Sequence, residues 1–206
     1  MKKILSACAL TVLIAPGVEA DPYVAFGGTY YHAAMSPSFG EALSSQDEES
    51  VDTTYFAEIG YLVSDFWGIK LGYVDLDFTS DYAFATAPAD DSSTESGSVQ
   101  ILTVGGMRLV DLSPTTFASL GAGLAYLESE SKFSEARGSQ AEYQGQSRSS
   151  NAYNPYIEVG LGYRVSETTD VILSYGYFGE VGGTSSLTNP TEVSVETTNL
   201  GVRLHF

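Results

Sequence analysis

Six charged residues sit between apolar neighbours on both sides: Glu58, Lys70, Arg108, Glu158, Arg164 and Arg203. In an extended chain, side chains one position apart point to opposite faces. All six therefore belong to the face opposite the apolar one. Two acids and four bases gathered on one enclosed face must pair, hydrogen-bond or stay hydrated, because an isolated buried ion is very costly. Two devices follow from such a set. One is a static plug of ion pairs and trapped water, the reading favoured here. The other is a gate in which Glu58 or Glu158 exchanges partners among Lys70, Arg108 and Arg203.

A second acidic group, Asp47, Glu48, Glu49, Asp90 and Asp91, lies in polar segments between the apolar stretches. Such carboxylates are hard oxygen ligands suited to Ca²⁺ or Mg²⁺, and cations held there could bridge to lipid phosphates. Their spacing is not that of an EF-hand loop, and a charge run is most often a solvated rim. Nucleophilic catalysis needs a base, and the two histidines, His32 and His205, fall at opposite ends of their strands. No Gly-x-Ser-x-Gly elbow accompanies them, and the glycines make no phosphate-binding fingerprint. A lipid-modifying hydrolase is the least favoured reading, a non-enzymatic protein the favoured one, and no cofactor is expected.

The elements that must position these residues are strands with period-2 alternation. The pattern places them at about 23–31, 53–63, 67–78, 98–110, 115–128, 152–165, 169–180 and 197–206. The sixth is the most regular: Ile157, Val159, Leu161, Tyr163 and Val165 alternate with Tyr156, Glu158, Gly160, Gly162 and Arg164. In the fourth, Ile101, Met107 and Leu109 are read as the outward face, with Gln100, Gly106 and Arg108 inward. Tight turns at Ser64-Asp65, Asp111–Pro114 and Ser166–Thr168 alternate with long polar segments at about 34–52, 79–97, 129–150 and 181–192. Large aliphatics and tyrosines on one face, with glycines and charges on the other, invert the polarity of a soluble barrel. The expected fold is all-β: an eight-stranded antiparallel up-and-down transmembrane β-barrel with short periplasmic turns and four long outer loops.

The start of the chain agrees with that destination. Lys2 and Lys3 precede an apolar run from Ile4 to Ile14, followed by Pro16-Gly17 and Val18-Glu19-Ala20. This is the anatomy of a secretory signal peptide cut after Ala20, leaving 21–206 as the barrel domain. The one cysteine, Cys8, lies inside the leader, so disulfides are not expected in the remainder. The full chain carries a net charge of −17. Losing Lys2, Lys3 and Glu19 leaves that balance strongly acidic, with no basic footprint for nucleic acid.

The final strand offers a further clue. Leu200, Val202, Leu204 and Phe206 alternate with Asn199, Gly201, Arg203 and His205, ending on an aromatic residue. Together with Gly160-Leu161-Gly162-Tyr163 and Gly72-Tyr73, this resembles the eight-stranded OmpA-like, OmpX and opacity-protein superfamily of outer-membrane barrels. The resemblance implies a Gram-negative outer-membrane location and interior salt bridges. It also implies that Leu200, Val202, Leu204 and Phe206 form an insertion signal read by the barrel-assembly machinery. Expected partners are outer-membrane lipid and lipopolysaccharide, with a host surface ligand possible and nucleic acid excluded. The implied function is display of acidic surface loops for envelope integrity or host interaction (adhesion, colonisation, serum or bile resistance). A narrow porin-like channel for ions or small solutes is the alternative.

Overall fold

The computed structural model describes residues 21–36, 49–83, 92–136, 143–182 and 192–206. Among them are eight strands: β1 (Asp21–Ser36), β2 (Glu49–Ser64), β3 (Trp67–Ala83), β4 (Ser92–Asp111), β5 (Thr116–Ala136), β6 (Tyr143–Ser166), β7 (Thr169–Gly182) and β8 (Glu192–His205). Each pairs antiparallel with its sequence neighbour, and β1 pairs with β8 to close a barrel. Closure leaves no open edge where water is absent, a condition for spanning lipid with strands. The leader expected at 1–20 and the centres of the four polar segments lie outside the described residues.

The three tight turns share one device. Ser64, Ser113 and Ser166 each stand at the start of a turn and accept a backbone N–H through their hydroxyl, at 3.2 Å from Trp67, 3.0 Å from Thr116 and 3.3 Å from Thr168. A short hydroxyl side chain thus satisfies the turn backbone locally.

The outward face is apolar and uncovered. Ile69, Leu120, Ile157, Leu161 and Leu200 are all more than half exposed, whereas inward Ile101 and Leu127 are fully buried. A contiguous belt of this kind would aggregate in water and is stable where hydrocarbon covers it. Phe66, Trp67, Val165 and Phe206 mark its periplasmic margin; Tyr30, Tyr55, Tyr73, Tyr153 and Tyr177 mark the outer one.

At the seam, Gly27 of β1 stands opposite Gly201 of β8. A Cβ on Gly27 would collide with the backbone carbonyl of Leu200, and one on Gly201 would collide with that of Phe26. The barrel can close only because both positions lack side chains.

The fourth strand corrects the sequence reading. Ile101, Met107 and Leu109 point inward and are buried, while Leu102, Val104, Arg108 and Val110 point outward. Apolar residues occur on both faces of β4, so alternation alone could not fix its phase. The strands also run further than the apolar pattern indicates. β5 and β6 stay paired through much of the segment read as a loop at 129–150, from Glu130↔Ser149 out to Glu135↔Tyr143.

Beyond the outer tyrosines the wall divides. The β2–β3 ladder stops at Phe56↔Val74 and the β6–β7 ladder at Ile157↔Tyr177. The neighbouring ladders continue, reaching Ala83↔Ser92, Ser92↔Ala136 and Ala34↔Glu49. Two four-stranded sheets therefore rise from one barrel: β3–β4–β5–β6 and β7–β8–β1–β2. They share a buried apolar layer, with Leu76, Val99 and Leu127 from the first and Tyr31 and Val195 from the second.

Candidate functional site: the charged cluster in the lumen

Lys70 on β3 is the centre of the lumen. Its Nζ lies 2.8 Å from Glu58 Oε2 on β2 and 2.6 Å from Glu158 Oε1 on β6. The ammonium is almost fully shielded, and both carboxylates are largely so. The Tyr23 hydroxyl donates to Glu58 Oε1 at 2.9 Å. Arg203 on β8 places Nη2 3.9 Å from the same oxygen. Two acids and two bases thus balance, which removes most of the cost of holding ions away from water.

Arg203 is anchored mainly by rings. Its guanidinium lies 4.5 Å from the Tyr23 ring centre and 5.9 Å from that of Phe117, with Met107 Sδ at 3.6 Å from Nη2. Cation–π contact is strongest where the cation is desolvated, as here. Gly60 makes room for this stack, since a Cβ there would overlap the Tyr23 ring.

Polar and apolar layers cover the cluster on its outer side. A cavity lined by Glu58, Thr103, Glu158, Asn199 and Phe178 has room for about one water. The Thr29 hydroxyl donates to Asn199 Oδ1 at 2.8 Å, and Asn199 Nδ2 donates to Ser174 at 3.3 Å. The Tyr156 and Phe178 rings stack at 5.8 Å, and the dry layer of Leu76, Val99, Leu127, Tyr31 and Val195 lies beyond. Eight strands leave an interior just wide enough for side chains to fill.

On the periplasmic side, the His205 ring bridges two carboxylates. Nδ1 is 2.8 Å from Asp21 Oδ2 on β1, and Nε2 is 2.9 Å from Asp170 Oδ2 on β7. The bridge ties together the three strands nearest the seam.

The six charged residues singled out from sequence do not all meet. Glu58, Lys70, Glu158 and Arg203 form the cluster. Arg164 faces the same side but sits at the rim, pairing with Asp111 Oδ1 at 2.6 Å and donating to the Pro114 carbonyl at 3.3 Å. Arg108 is outside the barrel altogether, 5.3 Å above the Trp67 ring at the periplasmic margin. A partner exchange that includes Arg108 therefore has no geometry. Sequence reasoning missed Tyr23, Met107, Asp170 and Asp21; the inward phase of Tyr23 beside Ala25 was the available signal.

Of the candidate cation ligands, Asp47, Glu48, Asp90 and Asp91 lie outside the described residues, and Glu49 opens β2. His32 and His205 are separated by nine positions along the β1–β8 ladder, since His32 pairs with Glu196 and His205 with Tyr23. That is roughly 30 Å at about 3.4 Å per residue, too far to share a site. Leu200 and Phe206 are exposed on the outer wall, with Val202 and Leu204 partly covered on the same face.

A closed antiparallel eight-stranded barrel, greasy outside and ionic within, defines an outer-membrane protein. The chain belongs to the OmpA-like transmembrane domain family, whose model matches residues 22–206. Among solved structures, it is similar to Ail, the attachment invasion locus protein of Yersinia pestis, in complex with the heparin analogue sucrose octasulfate. Identity is 15%, the TM-score is 0.56, and the match covers 91% of this chain and 99% of that one. Neisserial surface protein A is 18% identical with a TM-score of 0.52, covering 90% of this chain and 97% of that one. OprG from Pseudomonas aeruginosa is 13% identical with a TM-score of 0.50, covering 91% and 96%. At these identities the likeness concerns the fold. A comparison with curated protein sequences finds no match.

Proposed function

We propose that this chain is a non-enzymatic outer-membrane protein whose barrel anchors acidic surface segments for envelope integrity or host contact. The observation that carries the reading is the closure of the bore. Lys70, Glu58, Glu158 and Arg203 neutralise one another inside it, and the apolar layer at Leu76, Val99 and Leu127 lies above them. A bore sealed by ion pairs and then by dry side chains leaves the outer wall and its extensions as the working surface.

Residues 1–20 act as a leader removed after Ala20, and Leu200, Val202, Leu204 and Phe206 guide insertion by the assembly machinery. Lipopolysaccharide surrounds the outer margin, where Asp47, Glu48, Glu49, Asp90 and Asp91 could take up divalent cations. Ail binds a polyanionic heparin analogue. This chain, at net charge −17, would repel such a ligand, so its surface partner is neutral or basic.

The test is adherence of cells expressing the protein to epithelial monolayers. Shortening the outer segments 37–48, 84–91, 137–142 and 183–191, with the barrel still folded, should abolish it. Unchanged adherence would refute the reading.

A narrow channel is the second reading, favoured by the water-sized cavity beside Glu58 and Glu158. Planar-bilayer recording separates the two. Steady openings altered by Glu58→Gln would support conduction, and silence would support the plug.

A further inference from the structure

The division of the outer wall leaves strand edges without partners. Between β2 and β3 no ladder pair exists beyond Phe56↔Val74, although β2 extends back to Glu49 and β3 forward to Ala83. β3 is paired over that whole length on its other side, with β4, from Asp75↔Gln100 to Ala83↔Ser92. Its edge toward β2 presents backbone donors and acceptors beyond the last β2–β3 pair. One of those acceptors, the Asp77 carbonyl, takes the Tyr31 hydroxyl instead of a strand.

The charges give this gap its character. Residues 49–55 and 75–83 contain Glu49, Asp52, Asp75, Asp77 and Asp81 and no lysine or arginine. Continuing the β2–β3 register would set Glu49 opposite Asp81, and like charges directly opposite destabilise a pair. Asp75 and Asp77 share the exposed outer face of β3. The other gap is blunted differently: β6 carries Pro155 just past its last rung, and Asn154 Nδ2 reaches the Phe178 carbonyl at 3.1 Å. A free edge is a template for strand addition, and the charges on it choose the partner.

We propose that the outer edge of β3, Asp75–Ala83, accepts an extended basic segment of a partner protein as an added strand. Main-chain hydrogen bonds along the edge supply affinity, and lysines or arginines at alternate positions meet Asp75 and Asp77. A second copy of this chain is disfavoured because its own edge is acidic. The proposal rests on the surface-display reading above and gives it a docking site.

The experiment uses the protein in lipid nanodiscs and a peptide of about nine residues alternating lysine with valine, long enough to cover the edge. Amide hydrogen exchange at Asp75–Ala83 should slow by about tenfold or more on saturation, while Gly121–Ala125 stays unchanged. Binding should weaken as salt rises. It should be lost for the same peptide N-methylated at alternate residues, or with glutamate in place of lysine, and should weaken several-fold in the Asp75→Asn/Asp77→Asn variant. Equal binding by the N-methylated peptide, or slowed exchange only outside Asp75–Ala83, overturns the proposal. Cell adherence is scored alongside. Adherence without protection of this edge refutes the docking site and leaves surface display standing.

Discussion

Lys70 on β3 and Glu158 on β6 touch across the lumen, 2.6 Å from nitrogen to oxygen, and Glu58 holds the same ammonium from β2. The cluster therefore cross-braces walls that are not neighbours in the sheet. Lys70→Met would leave Glu58 and Glu158 facing each other with only Arg203 near, as buried acids without their main counter-ion. Breaking a buried pair in this way costs about 3–5 kcal/mol. Urea unfolding in lipid vesicles should show a loss of that size. The quadruple variant Lys70→Met, Glu58→Gln, Glu158→Gln, Arg203→Met should recover most of it, since replacing the whole network is often near neutral. Failure to recover would mean that the charges do more than fill the bore.

The rim pair Arg164–Asp111 offers the contrasting case. Its separation is also 2.6 Å, yet both side chains are substantially exposed. Water and salt screen such pairs, so Asp111→Asn should change stability by less than about 1 kcal/mol. The same urea titration checks it. An effect as large as that of Lys70→Met would show that the rim is far drier than its exposure implies.

The seam makes a steric prediction. Gly201→Val should prevent closure, because the added carbons meet the Phe26 carbonyl and the Phe56 ring. Gly28→Val should be tolerated, since nothing lies within 4 Å of a Cβ there. Heat-modifiable migration on a gel reports closure directly: the Gly28 variant should keep the compact folded band and the Gly201 variant should lose it.

Much of this barrel was legible in the residues, and β6 shows why. Ile157, Val159 and Leu161 carry only apolar groups on one face, while Glu158, Gly160 and Gly162 carry none of comparable size on the other, so the phase is unambiguous. Lys70, Glu58, Glu158 and Arg203 inherit their inward direction from that logic. β4 broke it because an eight-stranded lumen must be filled, and Ile101, Met107 and Leu109 fill it while Leu102, Val104 and Val110 meet lipid. Arg108 went astray with the same strand, since a charge at the belt margin can rest on an aromatic face as easily as it can enter a bore. Most of the outer strand extensions carried little apolar signal, the alternation of Val193 and Val195 at the start of β8 being the exception. Above the membrane both faces can be polar, and Ser129 and Ser150 pair by backbone and by hydroxyls 2.9 Å apart. The split wall was beyond reach of periodicity, because register between neighbouring strands is a tertiary property.

A lipid-spanning barrel needs Val104 and Val159 to face outward and Thr103 inward. Cys8 is the sequence's one cysteine, so with Cys8→Ser in the background each single-cysteine variant of the barrel carries one label. A fluorophore at Val104 or Val159 should be strongly quenched by brominated lipid tails, and the thiol of Thr103→Cys, facing the filled bore, should resist labelling in the folded protein. Ready labelling at Thr103 with no quenching at Val104 and Val159 would contradict the barrel's orientation and everything built on it.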